Sequence, residues 1–269
     1  MATATATAAK RQPTRTKVHQ GQDARPPSLI QKFSTFTRTA AGLEKTLRLI
    51  NATCQIAGGL SGDVVTASRW GVARGQLALT RRYFRFFNVI DCFARVADLL
   101  PGGNGRASEA GSVMALLELA RWTCLGMYLL LEDATILHAT NIYPVSWNAR
   151  VTTEAYRFWF CGLALSVLGC VWGVLLGIIT SPSSSTSPSS NKASSNGSSS
   201  EKKAGKERGP VAQVPRSVLV KRIVVDGCDL LIPGAFLGWI RVGELGVGVA
   251  MLVSTLVAGR DLWMSITST

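Results

Sequence analysis

Wound at 3.6 residues per turn, residues 70–91, WGVARGQLALTRRYFRFFNVID, separate into two faces. Arg74, Arg81, Arg82 and Arg85 fall within about 100° of one another. Val72, Leu79, Tyr83, Phe86, Phe87 and Ile90 gather opposite them, with Leu77 and Phe84 widening the apolar side. The pattern predicts one basic amphipathic helix running on toward Leu100. A basic face backed by aromatic and aliphatic residues suits the boundary between anionic headgroups and acyl chains. A soluble helix with solvated arginines would show the same spacing, and only the neighbouring segments separate the two readings.

Upstream, helical periodicity begins after Ser28. Leu43, Leu47, Ile50 and Cys54 recur at spacings of four and three, which turns Glu44, Lys45, Arg48 and Gln55 away, and Gly58-Gly59 is the expected stop. Downstream, a turn is expected at Pro101-Gly102-Gly103-Asn104-Gly105. Residues 112–139 are largely apolar but carry Glu118, Arg121, Glu132 and Asp133. Their uninterrupted part, 122–131, falls short of the roughly 20 residues a span needs, so an interfacial, re-entrant or protein-packed helix is expected, with Glu118 and Arg121 paired on one face.

Residues 158–180, FWFCGLALSVLGCVWGVLLGIIT, run 23 positions without a formal charge and predict a transmembrane helix. Gly169, Gly173 and Gly177 repeat at intervals of four and would let a second helix approach, so they are the candidate residues for self-association. A Ser-rich, then lysine-rich, low-complexity stretch follows. A second apolar block, 228–257, carries Asp229, Arg241 and Glu244. It fits either a hairpin of two short half-spans or one tilted span over 233–257 with Arg241 and Glu244 paired.

These segments predict an all-α membrane protein with amphipathic N-terminal helices and one or two transmembrane helices. Its parts are a disordered tail (1–27), amphipathic and interfacial helices (28–157), the span (158–180), a flexible linker (181–215) and a C-terminal membrane segment (216–269). Composition supports the assignment: over 269 residues, 17% are charged and 47% hydrophobic, against about 25% charged in an ordinary soluble domain. The net charge of +13 is scattered and comes with no nucleic-acid-binding motif, so an anionic membrane surface is the better partner. Residues 1–157 hold 19 basic against 10 acidic side chains, which places the N-terminal part on the cytosolic side, although the basic end of the linker pulls the other way.

Six cysteines without CxxC pairs read as reduced thiols. The basic, acid-free first 22 residues lack the apolar run of a signal peptide; a mitochondrial presequence is the rival reading, but wound as a helix they gather little apolar surface on any one side. Two isolated histidines, His19 and His138, give no metal site or proton relay, and no nucleophile elbow, Walker loop or dinucleotide fingerprint occurs. No enzyme activity and no cofactor are expected.

Five stretches in order carry a family resemblance: residues 42–50 (GLEKTLRLI), the helix over 73–87, residues 128–135 (YLLLEDAT), Arg157-Phe158-Trp159, and the Gly-rich block over 232–256. Together they resemble the peroxisomal biogenesis factor 11 family over about residues 28–259. The long tail and serine linker are similar to those of divergent filamentous-fungal members. The resemblance implies a peroxisomal membrane protein whose basic amphipathic helix tubulates anionic bilayers. It also implies homo-oligomers that gather fission machinery, including a dynamin-type GTPase and its adaptors.

Carried onto this chain, the remodelling helix is 70–91, with its arginines drawn to headgroups at roughly 1 kcal/mol per charge and its apolar side wedged into one leaflet. A channel for small metabolites, motivated by Arg241 and Glu244 inside an apolar block, is the alternative.

Overall fold

Ser28 opens the first helix with a capping box: its hydroxyl accepts from the Gln31 amide at 3.3 Å and its own amide donates to Gln31 Oε1 at 2.9 Å. The computed structural model describes residues 28–100, 112–179 and 215–267. The expected tail (1–27), the glycine turn at 101–105 and the serine-rich linker through residue 214 lie outside the described residues.

Among the described residues the chain forms nine helices and no strand. They are α1 (Leu29–Arg38), α2 (Ala40–Leu60), α3 (Val64–Arg85), α4 (Asn88–Leu99), α5 (Ser112–Ala134), α6 (Ile136–Ala139), α7 (Asn148–Ile179), α8 (Arg216–Phe236) and α9 (Glu244–Thr267).

Several boundaries differ from the periodicity. Extended Thr39 (φ −81°, ψ 138°) divides the first helix in two, and its hydroxyl caps α2 by accepting from the Gly42 amide at 3.1 Å. A Cβ on Gly42 would collide with the Phe36 carbonyl oxygen, so the junction requires glycine there. Gly58 and Gly59 do not stop α2, which continues to Leu60 before Ser61 turns extended.

The helix expected over 70–91 starts earlier, at Val64, where Asp63 accepts from the Val65 and Thr66 amides, and it breaks at Phe86-Phe87. Three-residue hydrogen bonds, Phe86 N to Tyr83 O at 3.4 Å and Ile90 N to Phe87 O at 3.1 Å, replace the α-helical ladder and redirect the chain into α4.

Three helices are long and apolar enough to cross a membrane by length and composition: Val113–Ala134, Asn148–Leu175 and Glu244–Ile266. At 1.5 Å per residue, the 23 residues of α5 reach roughly 34 Å, enough for a hydrocarbon core of about 30 Å. The internal charges that argued against α5 as a span are paired, Arg121 Nη1 lying 3.1 Å from Glu118 Oε2.

The C-terminal block is a hairpin of two helices and not one continuous tilted span. Arg216–Phe236 and Glu244–Thr267 are separate packed helices, and between them Gly238 at φ +72° takes a turn that favours glycine. Arg241 and Glu244 do not pair; Glu244 instead meets Arg74 of α3 at 2.6 Å.

Packing arranges the helices in a ring. In order around it, α3 lies against α2, α2 against α9, α9 against α8, α8 against α7 and α7 against α5. Helix α4, the continuation of α3, packs on α5 and closes the circuit. Cys92, Tyr128, Leu129 and Ala155 form a buried cluster where α4, α5 and α7 meet, joined by Val89, Trp122, Leu125, Phe158 and Trp159. Tyr128 stacks on Trp159, and Tyr156 stacks on Phe236, with ring centroids 5.1 and 3.9 Å apart.

Candidate functional site

The two faces read from α3 are present in the structure, and they point in opposite directions. Arg74, Arg81, Arg82 and Arg85 face the interior of the ring, and the aromatic and aliphatic side opposite them faces out. Val72, Tyr83, Phe87 and Ile90 are 63%, 54%, 72% and 62% exposed, and Phe86 joins them at the α3–α4 break, whereas Phe84, though part exposed, lines the cavity. Leu79 is half-buried. A soluble protein would bury this aromatic face, so its exposure is what lipid contact requires.

Inside the ring is a cavity of about 790 Å³, lined by α2, α3, α5, α7, α8 and α9. Arg74, Arg81, Arg82 and Arg85 all reach it, joined by Lys45 and Arg48 from α2. Sequence reasoning turned Glu44, Lys45, Arg48 and Gln55 away from the packed side of α2. The fold does the reverse with Arg48 and Gln55, which are buried, while Ile50 is exposed. Glu44, Arg48, Asn51 and Gln55 repeat at spacings of four, three and four, so the legible signal was a polar stripe matching the arginine stripe of α3.

Each cation group meets a carboxylate from another helix or its own. Arg81 grips Glu44 Oε1 with Nε at 3.1 Å and Nη2 at 2.9 Å, while Lys45 Nζ approaches Glu44 Oε2 at 3.3 Å. Arg85 Nη2 lies 3.1 Å from both oxygens of Glu132; Arg82 Nε is 3.5 Å and the Tyr128 hydroxyl 3.0 Å from Oε1 of the same carboxylate. Arg48 pairs with Asp229 of α8 and donates to Ser254 Oγ of α9 at 3.1 Å. At the exposed mouth, Arg74 and Glu244 form their pair, and Gln55 Nε2 donates to the Glu244 carbonyl at 3.0 Å.

The electrostatics follow from this crowding. Burial alone would raise the Glu44 carboxyl, but Lys45, Arg81 and Arg85 outweigh it and hold it at about 2. Arg81 is pushed down, chiefly by burial, which Glu44 only partly offsets and which neighbouring Arg85 and Arg48 reinforce. Arg48 Nε, Arg85 Nε and Asn51 Oδ1 are buried without a partner. Among the described residues, no group of three His, Cys, Asp or Glu side chains stands close enough to hold a metal ion.

The glycine face of α7 is partly occupied. A Cβ on Gly173 would touch Leu219 of α8 at 3.4 Å and Met114 of α5 at 3.5 Å, so this glycine serves packing within the chain. A Cβ on Gly169 would meet nothing within 4 Å. The surroundings of Gly177 lie outside the described side chains.

A family model described as peroxisomal biogenesis factor 11 (PEX11) matches residues 30–263. No curated protein and no solved structure matches the chain. The matched span takes in every helix described above except the first residue of α1 and the last turn of α9, and with it the charged cavity and the exposed aromatic face. The chain belongs to the peroxisomal biogenesis factor 11 family, the peroxisomal membrane proteins of peroxisome proliferation.

Proposed function

We propose that this protein elongates the peroxisomal membrane by wedging the outer face of α3 and α4 into one leaflet, and so promotes fission. The exposed row of Val72, Tyr83, Phe86, Phe87 and Ile90 carries the reading, because apolar side chains entering one leaflet expand it relative to the other. The span-capable helices hold this wedge at the bilayer, so a weak intrinsic affinity suffices. The net charge of +13 attracts the chain to anionic phospholipid.

The arginines take a second part in this reading: bound to Glu44 and Glu132, they fix the wedge to the rest of the ring. Self-association concentrates wedges on one patch of membrane, and the resulting tubule is the substrate for a dynamin-type GTPase and its adaptors. The protein acts as a structural factor and not as an enzyme.

The test is tubulation of anionic vesicles by the full-length protein. Phe87→Glu with Ile90→Glu places charge on exposed positions and gives up only the edge contact between the Phe87 and Phe86 rings, and tubulation is expected to fall severalfold. Undiminished tubulation would overturn the wedge. The second reading, a pore for small metabolites, has the charged cavity in its favour. Planar-bilayer conductance lost on Glu244→Gln supports it, and tubulation without any conductance removes it.

A further inference from the structure

Six cations line the central cavity: Lys45, Arg48, Arg74, Arg81, Arg82 and Arg85. Three carboxylates, Glu44, Glu132 and Glu244, line it with them, and Asp229 behind Arg48 makes a fourth. The cavity therefore holds two positive charges more than its carboxylates balance. Unbalanced positive charge gathered in a half-open cavity draws an anion to it. A phosphate monoester carries about −1.5 to −2 near neutral pH, which matches the excess.

The donor geometry agrees with the charge. Guanidinium groups are suited to the forked recognition of phosphate oxygens. Arg48 and Arg85 each keep a buried Nε with no acceptor. Ile232, Phe236, Val247 and Met251 of α8 and α9 also line the cavity, so a phosphate held by the cations leaves apolar surface for a hydrophobic substituent. We propose that this cavity is a binding site for a phosphate monoester group, carried by a lipid or by a soluble ester. The proposal concerns the inside of the ring and is independent of the outer wedge.

Lys45→Gln with Arg82→Gln is the informative variant, since each substitution removes one excess charge and leaves every carboxylate an arginine: Glu44 keeps Arg81 and Glu132 keeps Arg85. Arg150→Gln, exposed and outside the cavity, controls for general charge. Full-length protein in detergent is titrated with radiolabelled orthophosphate at fixed ionic strength. In parallel, its unfolding midpoint is measured in phosphatidylcholine nanodiscs with and without phosphatidic acid.

Saturable orthophosphate binding that weakens at least about tenfold in the double variant, but not in the control, assigns the site to a soluble phosphate. A midpoint raised by phosphatidic acid in the wild type and control alone, without orthophosphate binding, assigns it to a lipid headgroup. Absence of both effects, or equal effects in the double variant, overturns the proposal.

Discussion

Arg85 and Glu132 stand 47 positions apart in the chain and meet in a forked ion pair, the guanidinium Nη2 lying 3.1 Å from each carboxylate oxygen. The contact joins the end of α3 to α5, one of the span-length helices, at the point where the aromatic face begins. Glu132 holds α3 through two arginines, Arg82 and Arg85, while the Tyr128 hydroxyl of its own helix steadies the carboxylate. The orientation of the exposed face of α3 is therefore set by charges inside the ring.

Loss of Glu132 should be far more costly than loss of one of its partners. Glu132→Gln leaves Arg82 and Arg85 facing each other without a carboxylate, a change of the kind that destabilises by about 3–5 kcal/mol. Arg82→Gln leaves Arg85 in place and should cost under about 1 kcal/mol. Thermal unfolding of the detergent-solubilised protein should show a large drop for the first variant and a small one for the second.

Acid should loosen the contact between α2 and α3. The Glu44 carboxyl, held at about 2 against an ordinary 4.5, contributes roughly 3 kcal/mol that is fully present above pH 4.5 and is lost as the pH falls toward 2. The sign follows from the depressed value: the unfolded chain takes up this proton first. Glu44→Gln removes the dependence, so the stability gap between wild type and variant should be widest above pH 4.5 and narrow below it. A gap that stays constant from pH 6 to pH 3 would assign the stabilisation to some other contact.

The helices were legible in the sequence, and so was the division of α3 into two faces, because 3.6-residue periodicity is local. What each face meets was not. Arg81 needs Glu44, 37 positions away, and Arg74 needs Glu244, 170 positions away, and such partners come together only through the ring. The inversion of α2 was hidden for a related reason. Apolar residues at spacings of four and three mark the buried side of a helix in water, whereas a helix beside lipid can turn Ile50 outward and bury Arg48 and Gln55. The break at Phe86-Phe87 left no signal of glycine or proline; it follows from α4 turning to bury Cys92 against α5.

Two glycines should respond oppositely to enlargement. A Cβ on Gly248 would come within 2.9 Å of Ile56 Cγ1 and 3.4 Å of its backbone nitrogen, so Gly248→Val forces α9 off α2 and should cost about 1–3 kcal/mol. Gly169 is itself buried, but a Cβ there meets nothing within 4 Å, so the monomer fold should tolerate Gly169→Ala. If the α7 glycine face mediates self-association, that same variant should lower the cross-linked oligomer fraction while leaving the unfolding midpoint unchanged. Loss of both together would mean that Gly169 serves only the fold.

The two roles open to the α3 arginines, headgroup attraction and internal anchoring, predict different outcomes for charge reversal. If the arginines act on lipid, Arg81→Glu, Arg82→Glu and Arg85→Glu weaken vesicle binding and leave the protein folded in neutral detergent. The ion pairs argue otherwise: reversal sets new carboxylates against Glu44 and Glu132 in a buried site, where like charges repel strongly. The expected result is loss of amide protection along α3 in neutral detergent, before any anionic lipid is added. A charge swap isolates the cause, since Arg81→Glu combined with Glu44→Arg reverses the pair while keeping its complementarity. Partial recovery of protection in the swap, relative to Arg81→Glu alone, assigns the effect to the α2–α3 contact. With the wedge re-anchored, vesicle tubulation should recover in the same proportion, because the exposed face of Tyr83, Phe87 and Ile90 is unchanged in all three proteins.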